Sequence, residues 1–555
     1  MFKTYSNPVY EYIKSPDQDS SSPAHHPLII IGAGPVGMAA AIDAGQRNIP
    51  TLVIDKDNTV SVGSRAVCYS KRALEVLDRL KCAKPMIDKG VTWKVGKIFF
   101  QDGLVHQFDL LPDKNHKIPA FINLQQYYLE EYMVKRMAEI SNIEVRWKNC
   151  ATAINNDAEK VTVYVDTPDG KYQMTCDWLI VADGANSPIR EHLGLESTGQ
   201  WFRDRFLIAD IIMKADFPAE RWFSFDPSYH RGQSTLLHKQ ADNVWRLDFQ
   251  LGWDTDPDEE MKPENVIPRV KAMLGEDTDF ELEWCSVYTF RCRRMDKFRY
   301  NRTLFVGDAA HQVSPFGARG ANSGIQDTDN LIWKLKLVME GVAPASFLDS
   351  YSDERVYAAD ENILNSTRAT DFITPKSKTS RIFRNSVLEL ARTQQFAQSL
   401  VNSGRLSDTA FLTESILNTP DTDDFSGKMV PGAVMDDAPI IDSDGEQWLL
   451  NVIGDGFTLL YFIDDVSNLN QKNIDDLLKL SNNKIKITAV IISKTSQTID
   501  GLRLINDKDG LVAKRYDAIS ETTYLIRPDQ HVAARWRNFD LDKVTSAALK
   551  ATGNN

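Results

Sequence analysis

The residues best spaced for chemistry lie near the start of the chain. Gly32, Gly34 and Gly37 form Gly-x-Gly-x-x-Gly, with Pro35 and Val36 inside the turn. Residues 28–31 are four apolar β-formers, and residues 38–44 read as a helix. A second short strand, residues 51–54, ends on Asp55, followed by Lys56. Gly32 permits the tight turn, Gly34 lets backbone approach a pyrophosphate, and Gly37 lets the helix pack close to the strand. Phosphates would sit at the positive N-terminus of that helix. Asp55 follows Gly32 by 55 − 32 = 23 residues, near the ~20-residue offset of a carboxylate that binds a ribose hydroxyl. Strand, turn, helix and acid together predict a dinucleotide site.

Two later stretches repeat the pattern of a buried strand ending on Gly and Asp. Residues 178–181 run into Asp183-Gly184, then Ser187 and Pro188, an N-cap and first helical residue. Taken alone, this reads as a strand–turn–helix corner. Residues 303–306 run into Gly307-Asp308, and the loop beyond reaches a helix start through Pro315, Gly320, Ala321 and Asn322. Backbone N–H groups in so glycine-rich a loop approach a ligand closely. His311 reads as a structural histidine beside that loop.

Elements must hold these loops, and the composition says what kind. The chain has 555 residues, 42% hydrophobic and 25% charged, as in a globular protein of several domains. A net charge of −13 argues against nucleic acid or an anionic membrane surface as partner. No run of about 18 apolar residues is present to span a membrane. The cysteines, at 68, 82, 150, 176, 285 and 292, show no metal or Cys-x-x-Cys spacing; they are expected to be free thiols in a reducing cytoplasm. Residues 1–27 are polar and proline-rich and are expected to be a disordered lead-in. Strand signals crowd residues 200–295, where aromatics alternate with arginines. That pattern fits a sheet with one face on a cavity, and equally any half-exposed antiparallel sheet.

The three glycine-acid stretches, in this order, resemble the class A FAD-dependent aromatic hydroxylases, the para-hydroxybenzoate, phenol and 3-(3-hydroxyphenyl)propionate hydroxylase type. The likeness runs over residues 28–370, with Gln126 matching the family's glutamine-bearing helix start. The resemblance implies a fold that is α/β, α+β in part: a Rossmann-like FAD-binding domain interleaved with an antiparallel-sheet substrate domain. It assigns residues 28–199 and 296–418 to the former and 200–295 to the latter. Residues 419–439 would be a linker, and 440–555 resemble the thioredoxin-like domain of the larger members, here without cysteine.

By the same resemblance Asp55 would hold the adenosine ribose. Arg65, Gln126 and Asp308 would bind the pyrophosphate and ribityl chain, and Asp183 and Gly184 would support the FAD and NAD(P)H paths. Pro315 and Asn322 would lie beside the flavin ring. Tyr229, His238 and Arg246 are candidates over the substrate; Arg246 could pair a substrate carboxylate or be an ordinary sheet arginine. The implied reaction uses NADH or NADPH and O2 to hydroxylate a phenolic substrate, usually ortho to its hydroxyl, through a flavin C4a-hydroperoxide. A homodimer engaged in aromatic catabolism is expected. Two alternatives stand: a tailoring or resistance monooxygenase acting on a polyketide or antibiotic, and a flavin-binding sensor or scaffold. Where relatives carry an acid or histidine to deprotonate the phenol, this chain has Cys68, Tyr69 and Ser70.

Overall fold

The strand that opens the nucleotide turn runs from Ala24 to Ile31 and is buried from Leu28 onward. In the computed structural model, which describes residues 3–63, 65–215, 217–401, 406–495 and 498–554, it pairs in parallel with Thr51–Ile54 on one side and Gly170–Val181 on the other. Thr303–Phe305 joins beyond, again in parallel. Ile31 is in register with Ile54 and with Val181, and Val181 with Phe305. The carboxyl ends of four parallel strands therefore line one edge. That edge carries, in spatial order, Asp55, the Gly32–Gly37 turn, Asp183-Gly184 and Gly307-Asp308. At ~4.8 Å per strand the row spans about 14 Å, enough for an extended dinucleotide.

The chain divides into two compact units. The first comprises Met1–Pro112, Pro119–Thr328 and Ala359–Asp408; the second comprises Asp113–Ile118, Asp329–Ala358 and Thr409–Asn555. No helix among the described residues is long and apolar enough to cross a membrane.

The first unit holds a second sheet, of seven strands in the order Glu281–Tyr288, Arg205–Ile212, Val244–Leu251, Ser234–Lys239, Arg221–Phe225, Val95–Phe100, Gly103–Asp109. The last two lie outside the 200–295 segment assigned to this sheet from sequence. They complete it through a parallel pairing of Val95–Phe100 with Arg221–Phe225. Side chains alternate across the sheet. Ala209, Leu237, Trp245, Leu247 and Phe249 pack on one face with Val266 and Val270 of helix Pro263–Leu274. The opposite face presents Ile98, Phe206, Phe223, Phe225 and Leu236, packed with Ala369 and Ile373.

Residues 3–27 take a defined course and are not a disordered lead-in. Tyr5 stacks on Tyr127 with ring centroids 4.0 Å apart, and Tyr10 on Trp147 at 4.6 Å. Asn7 Nδ2 donates to the carbonyls of Val60 and Ser61, at 3.1 and 3.0 Å. The polar composition hid these aromatic anchors, which bury large area at little entropic cost.

In the second unit, strands alternate between two cores. Phe457, Leu459, Tyr461 and Trp536 face a cluster that includes Trp333 and Phe347. Leu460, Phe462, Val490 and Tyr516 face the other. Trp333 and Phe347 explain why residues 329–358 belong here and not with the flanking segments. The expected linker is fastened as well: Arg535 makes a two-pronged pair with Asp421, and the Phe425 ring lies under the guanidinium groups of Arg535 and Arg537.

Candidate functional site

Backbone approach sets the geometry of the four-strand edge. Gly32 has φ +106, and a Cβ there would meet the Ala182 carbonyl oxygen at 2.5 Å. A Cβ on Gly37 would meet the Gly32 oxygen at 1.9 Å, whereas one on Gly34 would meet nothing within 4 Å. The turn is thus packed tight behind and open in front, where helix Pro35–Gln46 begins. Val36 reaches across to the third motif: a Cβ on Gly307 would lie 3.0 Å from its side chain, and one on Gly324 2.6 Å.

Three carboxylates face this edge. Asp55 accepts from the Ala33 and Asp57 backbone N–H groups, at 2.5 and 2.8 Å, and burial pushes its pKa up against those bonds. Lys56 beside it is exposed. Asp183 Oδ1 is buried without a hydrogen-bond partner, and burial raises the carboxyl to about 6 although Ser187, Ile189 and Arg190 oppose the shift. Asp308 is accessible yet lies deep between elements; the surrounding protein raises its pKa, opposed by His311 and Arg65. An accessible acid at depth, an orphaned carboxylate oxygen and a glycine facing open space fit a bound dinucleotide.

Other side chains hold the loops in place. Gln126 accepts from the Ala66 N–H at 2.9 Å and donates to Glu130 at 2.7 Å, so it shapes the segment that carries exposed Arg65. Asn322 Oδ1 accepts from the Ser70 N–H at 3.0 Å, while its Nδ2 donates to the carbonyls of Cys68 and Ala318. Arg190 donates to the carbonyls of Ala309 and Ala185, at 2.7 and 2.9 Å, tying the second motif to the third. His311 is structural as expected: its Nε2 lies 2.7 Å from Asp327 Oδ2, which also accepts from the Gly307 N–H. Gly320 starts helix Gly320–Met339, with Ala321 in its first turn, and an added Cβ on Gly320 would lie 4.0 Å from Asp308 Oδ1.

Beyond exposed Pro315, Phe316 borders an apolar pocket. Ile98, Phe108, Phe223, Phe225 and Ile373 form its apolar wall, and Arg221 is the one charged residue of the lining described. Across the sheet, Gly96, Arg221, His238, Arg246 and Asp210 stand in register in one row.

The structure removes Arg246 from the candidates over the substrate and gives His238 and Tyr229 defined partners. Arg246 is not available to a substrate carboxylate; its Nε and Nη2 each bond Asp210 at 2.8 Å, both partners buried. His238 is held well below its ordinary pKa by burial, with Arg221 and Arg246 adding to the effect. Its tautomer follows from Asn123. The Trp93 indole N–H donates to Asn123 Oδ1 at 2.7 Å, so Asn123 Nδ2 donates to His238 Nδ1 at 3.1 Å. Neutral His238 therefore carries its hydrogen on Nε2, a donor and not a base. Tyr229 bonds Thr235 Oγ1 at 2.9 Å, and Thr235 alternates with Leu236, which packs in the cluster of Phe223 and Phe225, so Tyr229 serves the opposite face. By sequence Arg221 is one of several arginines interleaved with aromatics; cross-strand register is what separates it from Arg246.

Asp248, also buried, is raised to about 6 by burial, against the pull of Arg246 and Arg221. Between pH ~4 and ~6 the folded state therefore keeps a proton that the unfolded chain has released, and stability falls as pH rises. Asp248→Asn should remove that slope, a change on the order of 2 kcal/mol between pH 4.5 and 7 in denaturant titrations. Equal slopes in both proteins would refute the assignment.

Comparison with known proteins places this geometry in context. The FAD binding domain family matches residues 25–366, and the HcaD C-terminal domain family matches residues 434–551. The 3-(3-hydroxy-phenyl)propionate/3-hydroxycinnamic acid hydroxylase of Mycolicibacterium smegmatis is 23% identical over 524 residues, 92% of this chain and 91% of the relative. The protein of that name from Klebsiella pneumoniae is 25% identical over 516 residues, 91% of each. Among solved structures, the flavin-dependent monooxygenase PieE with FAD and substrate superposes with TM-score 0.80 at 19% identity, over 96% of this chain and 99% of that one. Aklavinone-11 hydroxylase with FAD and aklavinone gives 0.75 at 17%, over 96% and 99%.

Proposed function

Given that the chain belongs to the FAD binding domain family, we propose that it is an NAD(P)H-dependent aromatic hydroxylase, a monooxygenase that uses O2 to add a hydroxyl to a phenolic ring, ortho to an existing one. The hydroxyphenylpropionate hydroxylases, similar along nine-tenths of their length, favour a single-ring phenol of catabolism. The observation that carries the reading is continuity: the strand-tip row ends at Gly307-Asp308, and the loop it feeds delivers Phe316 into the apolar cavity.

Bound FAD, reduced by NAD(P)H, would supply the oxygen activation. Asp55 would take the ribose hydroxyls, the Gly32–Gly37 turn and the helix behind it the pyrophosphate, and Asp308 the ribityl chain. Arg65 and Gln126 would close over the phosphates, and Asp183 would support both nucleotides. Pro315 and Asn322 would border the ring. Asn322 fixes the bend by three hydrogen bonds, which is positioning, and positioning is most of what such a protein contributes. The phenylalanine wall would exclude water from the reacting face. We also read the second unit's sheet as thioredoxin-like, without thiol chemistry, and the working form as a cytoplasmic homodimer.

The test is oxidation of NADH and NADPH by purified holoprotein over a panel of phenols, with products identified by mass. Stimulation by one phenol with stoichiometric hydroxylated product is expected. A polycyclic polyketide as the sole coupled substrate would favour the tailoring reading. No stimulation by any aromatic would favour a flavin-binding scaffold.

A further inference from the structure

We propose that the helix pair Lys378–Ala391 and Gln395–Leu400 is a docking face for an anionic lipid bilayer, lying on its surface without crossing it. The inference goes beyond the hydroxylase reading and does not depend on it. It starts from a helix with more apolar surface than its core covers. At ~100° per residue, Arg384, Val387, Leu388 and Ala391 share one face of Lys378–Ala391, and all four are buried. Ile382, Phe383 and Leu390 share the adjoining face and are 58%, 62% and 47% exposed. In the second helix Phe396 is 62% exposed, while Ala397 is buried. A helix on a protein surface needs one apolar stripe, turned to the core. This one carries a second, turned outward.

Charge says what covers that stripe. Residues 376–400 contain Lys376, Lys378, Arg381, Arg384 and Arg392 but one acid, Glu389, in a chain of net charge −13. Lys376 pairs with Asp204, and Arg392 with Glu389 at 3.2 Å. No carboxylate of the described residues comes within 4.0 Å of exposed Lys378 and Arg381, or of buried Arg384. Arg384 donates instead to the Ile373 carbonyl at 3.2 Å and to Asn385 Oδ1. Lys378 stands one turn before Ile382, on the rim of the outward stripe. Exposed apolar side chains rimmed by basic ones are what seats a helix in a headgroup layer. A second copy of the chain fits less well, because a two-fold contact would set the same basic rim against itself.

The covered face gives the docking a use. Val387, Leu388 and Ala391 pack in one cluster with Phe223, Phe225, Ala369 and Ile373, which wall the apolar pocket. Seated on lipid, the pair would leave one helix, roughly 10 Å across, between the bilayer and that wall. Apolar aromatics concentrate in such a layer. The chain as a whole is negative and is repelled by the same surface. Binding therefore depends on this patch, is reversible, and weakens as salt shortens the reach of its charges.

Flotation of the full chain, as purified, with lipid vesicles tests this. One set is phosphatidylcholine alone; the other holds an equal share of phosphatidylglycerol. At low salt wild type should bind the mixed vesicles ~10-fold more tightly than the neutral ones. Ile382→Ser with Phe383→Ser, both at exposed positions, should melt like wild type yet bind mixed vesicles at least ~10-fold more weakly. Lys378→Glu with Arg381→Glu should lose about as much on mixed vesicles and nothing on neutral ones. Ile519→Ser removes an equally exposed side chain from the second unit and should float like wild type. A wild type that does not float would overturn the proposal. So would flotation that both double variants retain. Sedimentation without lipid examines the competing occupant: a wild-type dimer that Ile382→Ser with Phe383→Ser converts to monomer would give the face to a second copy and overturn the assignment to lipid.

Discussion

Gly34→Ala should yield a protein that folds and melts like wild type yet purifies without yellow colour. The two glycines of the nucleotide turn make opposite demands. An added methyl at Gly34 meets nothing within 4 Å, so the polypeptide has no objection to it. Its backbone is extended rather than left-handed, so alanine adopts it without strain. The methyl would occupy the space in front of the turn, where the pyrophosphate of a dinucleotide must come against backbone. Gly37→Ala is the contrasting variant. There the Cβ would lie 1.9 Å from the Gly32 carbonyl oxygen, and the helix must shift away from the strand. Overpacking of this kind costs about 1–3 kcal/mol, so Gly37→Ala should lose both flavin and thermal stability. Flavin content by absorbance and melting by circular dichroism separate the cases. A Gly34→Ala protein that keeps wild-type flavin occupancy would remove the dinucleotide from this edge.

The largest effect on stability is expected at Arg527. Its guanidinium, 0% exposed, bonds both oxygens of Glu354, at 2.6 and 2.9 Å, and both oxygens of Asp529, at 3.0 and 2.6 Å. Lys334 Nζ and Asn330 Nδ2 each reach Glu354 Oε2 at 2.7 Å. The four charges cancel within the second unit. Glu354 and Asp529 are held below the usual carboxylate range, chiefly by Arg527, against the effect of burial. Burial pushes Lys334 down to about 8 despite Glu354. Arg527→Met would leave two buried carboxylates facing one lysine. Breaking such a pair costs about 3–5 kcal/mol, a drop on the order of 10 °C in the melting of this unit. The depressed carboxylates add a sign: their stabilisation is present above pH ~4 and is lost as pH falls through their lower folded values. Acid should therefore narrow the gap between variant and wild type. A Tm within about 2 °C of wild type at pH 7 would show that the network contributes no more than a surface pair.

What could be read from sequence was whatever rests on neighbouring residues. A tight turn needs glycine at fixed offsets, so the three strand-tip motifs and their order were legible, and the parallel sheet followed from them. The 200–295 sheet was legible as strands because alternation is local. Its partner strands were not: Val95–Phe100 alternates equally well, but nothing local says that it pairs with a strand more than a hundred residues away. The contrast between Arg246 and Arg221 is of the same kind. Both are arginines in an aromatic-rich strand, and only register across four strands puts Asp210 beside one and a cavity beside the other. His238 shows a further limit, since its tautomer is decided by Trp93 through Asn123. The ionic cluster around Arg527 joins Glu354 to Arg527 and Asp529 across more than 170 residues, a contact that no spacing rule foretells.

Shaving residues 3–14 off the chain would leave every glycine of the nucleotide turn untouched and still unfasten its rim. Tyr5 and Asn7 clip the backbone at Val60 and Ser61 to the helix that carries Gln126. Ser61 lies four residues from Arg65, and its N–H already leans on Glu130 of that same helix. A trimmed protein would then release its flavin faster while binding it at the same address, a change in residence time that a purification yield would register as patchy colour.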